Sequence, residues 1–183
     1  MIPSRPDRAD AVNVTGVGVV SPLGHTFADV ADALLAGRSG VVEIDAGAYC
    51  REERQFAAPL DLPPSADGDA DPGFDRPGFD RLGRMCLVPA AAALRDAGLD
   101  PAAAADPRRV GIVLGVGAEN LKSWEADFLA GGRDVFAAAR PPSLVHRLAE
   151  RLGVAGPAAT VAAACASSGF ALALARRWIA SGV

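Results

Sequence analysis

Apolar residues are arranged along the chain in two alternating patterns. Continuous apolar runs cover 12–20, 110–116 and 160–164, and each run predicts a buried strand. Apolar residues at helical spacing predict the helices, which span about 26–37, 80–97, 119–130, 143–152 and 166–180. Because the strands alternate with helices, the pattern favours an α/β fold with a mainly parallel sheet flanked by helices.

The predicted helices carry start and stop signals. Thr26 is the expected N-cap of the first helix and Gly37 its expected end. Its apolar face consists of Phe27, Val30, Ala31, Leu34 and Leu35. Gly98 is the stop of the second helix, and Pro89 inside it should cause a kink or a break, because proline removes a backbone donor. The apolar face of the helix over 143–152 consists of Leu144, Val145, Leu148 and Leu152.

Two stretches show neither pattern. Residues 1–10 are expected to form a flexible tail. Residues 57–78 are rich in proline, glycine and aspartate, a composition typical of a surface loop. We interpret this stretch as an insertion within one domain, which covers 11–183.

Composition and charge exclude several classes of protein. Half of the 183 residues are apolar, and the net charge is −4 with no basic stripe, so no nucleic-acid partner is expected. No apolar segment approaches the roughly 20 residues needed to span a bilayer, and the N-terminus does not resemble a signal peptide. The three cysteines are far apart, which argues against a disulfide framework and against a metal site. A reducing cytoplasm is the simplest compartment.

Two glycine pairs fall at predicted strands, Gly16 with Gly18 and Gly115 with Gly117. Neither pair completes the Gly-x-Gly-x-x-Gly pattern of a dinucleotide site. Close backbone packing at the strands is the simpler explanation, and no cofactor is expected.

Cys165 is the candidate catalytic residue. It lies where the last predicted strand runs into the last helix, and the positive end of a helix favours the nucleophilic thiolate. Small neighbours allow a thioester to approach, and the backbone N–H groups there can stabilise an oxyanion. The pattern therefore indicates acyl transfer through a thioester.

Other polar candidates have simpler interpretations. Cys86 falls on the apolar face of a helix and is expected to be core, whereas Cys50 falls in a loop. His25 and His146 are expected to be solvated surface residues. An unrelated cysteine hydrolase would need one of these histidines beside Cys165.

Several motifs together resemble the N-terminal half of a β-ketoacyl synthase, a condensing enzyme of fatty-acid and type II polyketide synthesis. The most specific is the segment 156–161 leading into 164–168, which is similar to the family's active-site cysteine motif. Weaker similarities occur in the family's order, at 14–24, 33–41, 80–81, 90–99 and 109–115.

The resemblance implies a thiolase-like layered fold of two similar α/β halves, of which this chain holds an incomplete first half. It also implies that Cys165 accepts an acyl chain from acyl carrier protein. Malonyl carrier protein then loses CO2, and the carbanion attacks the acyl thioester. The retained thiol separates the chain from chain-length-factor relatives. The family suggests a homodimer or a ketosynthase heterodimer, with the strand Thr160–Ala164 as an interface element.

The chain also departs from the family pattern. The family's catalytic histidines and lysine belong to its C-terminal half, and His25 and His146 do not match them. We therefore expect a fragment that lacks full condensing activity alone. The alternative is a non-catalytic half-enzyme or assembly module that docks onto a complementary ketosynthase chain.

Overall fold

Strands pair in two separate places in the computed structural model, which describes residues 11–44, 54–62, 81–104, 106–117, 127–132 and 143–183. The elements are α1 (Phe27–Leu35), β1 (Val42–Ile44), β2 (Gln55–Ala57), α2 (Arg81–Asp96), β3 (Ile112–Gly115), α3 (Leu144–Arg151), β4 (Ala158–Val161) and α4 (Ser167–Ser181). Two short 3-10 helices, Pro101–Ala103 and Pro107–Arg109, lie between α2 and β3. The chain forms two compact units, one containing Thr15–Leu99 and the other Asp100–Val183.

The unit over Asp100–Val183 contains a parallel strand pair. β3 and β4 are aligned from Ile112 opposite Ala158 to Gly115 opposite Val161. α3 lies between them in the chain, and both α3 and α4 pack against the two strands. This arrangement confirms the predicted parallel sheet flanked by helices.

The core of this unit is built on α3. Its buried side chains are Leu144, Val145, Leu148 and Ala149. Three of the four residues of the predicted apolar face are therefore buried, and Leu152 at the helix end is half-buried. His146 is exposed on the other side of α3, as the sequence predicts.

The unit over Thr15–Leu99 contains the antiparallel pair β1–β2, which the hydrophobic pattern does not predict. Val42 lies opposite Ala57, and Ile44 lies opposite Gln55. Each strand has only three residues and is at least partly exposed, and alternation over so few residues is too short to mark a strand in a sequence.

The predicted strand over 12–20 is wrong for this structure, which assigns no strand to residues 11–20. The Val17 N–H donates to the Asp96 side chain (2.9 Å) instead of to a neighbouring strand. Val14 and Val17 are exposed, so the segment is not buried on both faces.

Gly16 and Gly18 instead allow this segment to lie directly on α2. A Cβ on Gly16 would come within 2.3 Å of the Ala93 carbonyl oxygen, and a Cβ on Gly18 would clash still more severely with the Pro89 carbonyl oxygen. The expectation of close backbone packing is therefore confirmed for this pair.

α1 begins as predicted and ends as predicted, but its apolar face is not buried. The Thr26 hydroxyl accepts from the Asp29 N–H (3.1 Å), and Gly37 has φ +67° after the last turn. Phe27, Leu34 and Leu35 are exposed, and Ala33 is the buried residue of this helix.

α2 runs without a break from Arg81 to Asp96 with Pro89 inside it, so the proline does not split the helix. Cys86 on this helix is half-buried. α2 ends at Asp96, and Gly98, the predicted stop, follows two residues later with φ +65°.

Three predicted elements lie wholly or partly outside the described residues. The tail over 1–10 lies wholly outside, as do the loop beyond Leu62 and the helix over 119–130 up to its last turn at 127–129. The start of the predicted loop is more ordered than expected, because Ala57 belongs to β2 and Leu60 is buried. Arg81 donates to the Leu60 carbonyl oxygen. Within the described ranges, no helix has the length and apolar character needed to cross a membrane.

Candidate active site around Cys165

Cys165 lies in a turn between β4 and α4. β4 ends at Val161, and α4 begins at Ser167, with Ala166 as its N-cap. The predicted strand over 160–164 therefore begins and ends too late, because the chain leaves the β3 ladder after Val161. The thiol of Cys165 is free and exposed.

The backbone immediately before the cysteine has an uncommon conformation. Ala164 has φ +48° and is the one non-glycine residue with positive φ among those described. A side chain with a Cβ disfavours this left-handed region, so the surrounding contacts must hold it. Two backbone hydrogen bonds close the turn, from Ala166 N–H to the Ala163 carbonyl (3.0 Å) and from Ser167 N–H to the Ala164 carbonyl (3.2 Å).

The hydroxyl of Ser167 makes two further bonds to the same turn. Its Oγ accepts from the Ala163 N–H (2.8 Å) and donates to the Ala164 carbonyl oxygen (2.7 Å). The residue is 3% exposed and is the buried polar residue among those described. Sequence reasoning missed this role, although a serine in the first turn of a helix is a known source of such local bonds.

Gly115 at the end of β3 provides the space for the first turn of α4. A Cβ on Gly115 would come within 2.7 Å of the Ser167 carbonyl oxygen and 2.9 Å of the Ser168 Cα. A Cβ on Gly117 would have no neighbouring atom within 4 Å. The expectation of close packing is therefore confirmed for Gly115 and not for Gly117.

This geometry places the thiol beside the N-terminus of a 15-residue helix. The first N–H groups of a helix lack intrahelical partners, and the helix dipole makes this end partly positive. Ala164, Ala166 and Gly169 present little side-chain bulk around the thiol. Such a site can accept a nucleophilic thiolate and stabilise an oxyanion that forms next to it.

Neither histidine belongs to the Cys165 turn. The His146 ring nitrogen Nδ1 is hydrogen-bonded to the Ser143 hydroxyl (2.7 Å), one turn earlier at the start of α3. His25 is exposed and belongs to the unit over Thr15–Leu99. Cys50 lies outside the described residues. Among the described side chains, no cluster of three or more His, Cys, Asp or Glu residues is arranged to hold a metal ion.

Two surface ion pairs shift the pKa of their carboxyl groups. The Arg54 guanidinium lowers the pKa of Glu43 across the β1–β2 pair, through contacts of 2.8 and 3.1 Å. The pKa of Asp106 is lowered chiefly by its side-chain hydrogen bond with Arg108, and further by the Arg108 backbone N–H. Both pairs stabilise charged surface carboxylates and neither includes a residue of the Cys165 turn.

Comparison with known proteins identifies the family. The family model for the N-terminal domain of β-ketoacyl synthases matches residues 9–183. The chain belongs to the β-ketoacyl synthase family, and this membership excludes the alternative of an unrelated cysteine hydrolase.

Curated relatives come from polyketide and fatty-acid synthesis. The chain is 35% identical to a putative polyketide β-ketoacyl synthase 1 of Streptomyces halstedii, with 93% of the chain and 43% of the relative aligned. It is 30% identical to the tetracenomycin polyketide synthase ketoacyl synthase alpha subunit of Streptomyces glaucescens, over 85% of the chain and 39% of the relative. It is also 30% identical to the 3-oxoacyl-[acyl-carrier-protein] synthase 2 of Coxiella burnetii, over 84% of the chain and 38% of the relative. The chain thus spans about two fifths of the length of these relatives.

Solved structures support the thiolase-like fold. A β-ketoacyl synthase from Burkholderia phymatum matches with a TM-score of 0.66 at 22% identity, over 92% of this chain and 43% of that one. The ishigamide ketosynthase/chain length factor matches with a TM-score of 0.57 at 25% identity, over 90% of this chain and 43% of that one. The predicted fold class, an incomplete first half of a ketosynthase fold, is therefore confirmed.

Proposed function

We propose that Cys165 is the acyl acceptor of a condensing enzyme of fatty-acid or type II polyketide synthesis. The observation that carries this proposal is the exposed thiol in a fixed turn at the N-terminus of α4. In the proposed step, the Cys165 thiolate attacks an acyl thioester, the new S–C bond forms, and the donor thiol leaves and takes a proton. The Cys165 backbone N–H is one proposed oxyanion donor.

The proposed acyl donor is acyl carrier protein, and the proposed second substrate is a malonyl thioester. Support comes from the relatives, because one of them is named as a 3-oxoacyl-[acyl-carrier-protein] synthase. A complete protein of this kind would work as a homodimer or as a ketosynthase heterodimer. The cytoplasm is the proposed compartment, since its reducing conditions keep a nucleophilic thiol free.

We further propose that these 183 residues accept an acyl group without completing condensation. The chain spans about two fifths of the relatives' length, and the hydrogen bond of the His146 ring goes to Ser143. Decarboxylation of the malonyl group needs side chains that stabilise the developing negative charge and transfer protons. Apart from Cys165 itself, residues 162–169 are alanine, serine and glycine, so the turn contains no other titratable side chain.

Acylation of the purified chain tests this proposal. After incubation with acyl carrier protein that bears an acyl group, intact-mass and peptide mass spectrometry should find the acyl group on Cys165. Cys165→Ala should abolish the adduct, whereas Cys86→Ala should retain it. An adduct that persists in Cys165→Ala would contradict the assignment. Formation of the condensed β-ketoacyl product by the chain alone would contradict the second part of the proposal.

A second candidate function is an assembly module that docks onto a complementary ketosynthase chain. The observation that favours it is the exposure of apolar side chains on α4: Phe170, Leu172 and Ile179 are all more than half exposed. Leu172 and Ile179, seven residues apart, lie on the same face of the helix. Monomeric proteins rarely leave such side chains together in solvent. Mixing the chain with the remaining part of a ketosynthase relative should give a stable complex in size-exclusion chromatography if this function holds.

A further inference from the structure

The hydroxyl of Ser167, two residues after the proposed acyl acceptor, is buried. Both of its hydrogen bonds go to the backbone of the turn that precedes Cys165. The hydroxyl accepts from the Ala163 N–H and donates to the Ala164 carbonyl oxygen, so a single side chain is bonded to the two peptide groups that flank the Ala163–Ala164 peptide.

These bonds hold Ala164 in a left-handed conformation, which an alanine disfavours. Ala164 at φ +48° is the residue immediately before the nucleophile, and a left-handed alanine persists only where its surroundings impose it. The backbone of Ser167 is itself held in place by β3, because it packs directly against Gly115.

We propose that Ser167 is a positioning residue that holds the Ala163–Ala164 backbone, so that Cys165 keeps one orientation toward an incoming acyl thioester. This inference rests on the acyl-acceptor function proposed above. Acyl transfer requires the thiol, the thioester carbonyl and the oxyanion donors in one geometry, and small displacements there lower rates strongly. Alkylation by a small reagent has no such requirement and needs only an accessible thiol.

The test compares these two reactions in Ser167→Ala. The acyl donor is a hexanoyl thioester of N-acetylcysteamine, and the small reagent is iodoacetamide. Ser167→Ala should slow acylation of Cys165 about tenfold and change alkylation less than about twofold. The matched control is Ser168→Ala, an exposed neighbour on the same helix turn, which should leave both rates unchanged. A parallel fall in both rates, or no change in either, would overturn the proposal.

A second pair of variants keeps the proposal testable if Ser167→Ala unfolds the chain. Ser167→Thr retains the hydroxyl and Ser167→Val replaces it with a methyl group of nearly the same volume, so both variants carry the same packing cost. Acylation should be faster in the threonine variant. Equal acylation rates in the two variants would overturn the proposal.

Failure of the proposed function is distinguishable from failure of this inference. If iodoacetamide labels Cys165 in the wild-type chain but the thioester does not acylate it, the acyl-acceptor function fails. Ser167 is then judged by backbone 15N relaxation, which should show increased motion at 163–165 in Ser167→Ala and unchanged motion in Ser168→Ala. Unchanged motion in both variants would contradict the positioning role.

Discussion

The buried hydroxyl of Ser167 donates a 2.7 Å hydrogen bond to the carbonyl oxygen of Ala164, the left-handed residue immediately before Cys165. The second residue after the cysteine is therefore bonded directly to the backbone before it. This contact links the helix that supplies the positive end to the turn that presents the thiol. The chemistry proposed for Cys165 depends on both, and several consequences can be measured.

The left-handed conformation of Ala164 predicts opposite effects of two substitutions. Ala164→Gly removes the conflict between the Cβ and φ +48°, so it should leave stability unchanged or raise it by up to about 1 kcal/mol. Ala164→Val should lower stability by about 1–3 kcal/mol, because a β-branched residue is an outlier in this region. Urea unfolding measures both.

The control for this pair is Ala163→Gly, one residue earlier in the same turn. Ala163 does not have a positive φ, so glycine there has no strain to relieve and should only cost backbone entropy. A stabilising effect of Ala163→Gly equal to that of Ala164→Gly would show that strain at Ala164 is not the cause.

Gly115 predicts a steric effect on the position of α4. Gly115→Ala would bring a Cβ within 2.7 Å of the Ser167 carbonyl oxygen, and because this contact is with backbone, α4 must shift. We expect a loss of about 1–3 kcal/mol, the range of overpacked sites, and slower acylation of Cys165. Gly117→Ala, two residues along, places its Cβ in open space and should change neither property. Equal effects of the two variants would contradict the packing of α4 on β3.

The sequence predicts the elements around Cys165 better than it predicts the first segment of the fold. The parallel pair and the α3 core follow from local hydrophobic patterns, and Thr26 and Gly37 mark the ends of α1 by local hydrogen bonding and local φ. The run over 12–20 has the composition of a buried strand, but strand pairing depends on a partner at long range. Such a partner cannot be read from local composition.

The position of Cys165 between a strand and a helix was predictable, because a lone cysteine between a small-residue strand and a helix is a local pattern. The role of Ser167 was not predictable, because it depends on burial and on the left-handed φ of Ala164, and neither is encoded in spacing. Nor does spacing show why Gly115 is required and Gly117 is not, since the difference lies in where α4 crosses β3.

The α3 core predicts a large cost for a single truncation. Leu148 is 1% exposed, so Leu148→Ala should reduce the free energy of unfolding by about 2–5 kcal/mol, the usual cost of a cavity in a packed core. Leu172→Ala removes the same atoms from a side chain that is 70% exposed, and should change stability by no more than about 0.5 kcal/mol. Chemical denaturation of the two variants compares them directly. A cost for Leu172→Ala that matches the cost for Leu148→Ala would mean that α4 packs more tightly than its exposure indicates.

The Asp106–Arg108 pair predicts the direction of one pH effect. The side-chain hydrogen bond with Arg108 holds the pKa of Asp106 below its ordinary value of 3.8 in the folded chain. The contribution of this carboxylate to stability is therefore present above pH 3.8 and is lost as the pH falls through the lower folded pKa. A carbon-detected NMR titration of the Asp106 carboxyl measures that pKa, and Arg108→Ala should raise it toward the ordinary value. Arg109→Ala should raise it less, because Arg109 acts only through its charge and is the smallest of the causes. If Arg108→Ala left the pKa of Asp106 unchanged, the 3.0 Å contact between the two side chains would not be its cause.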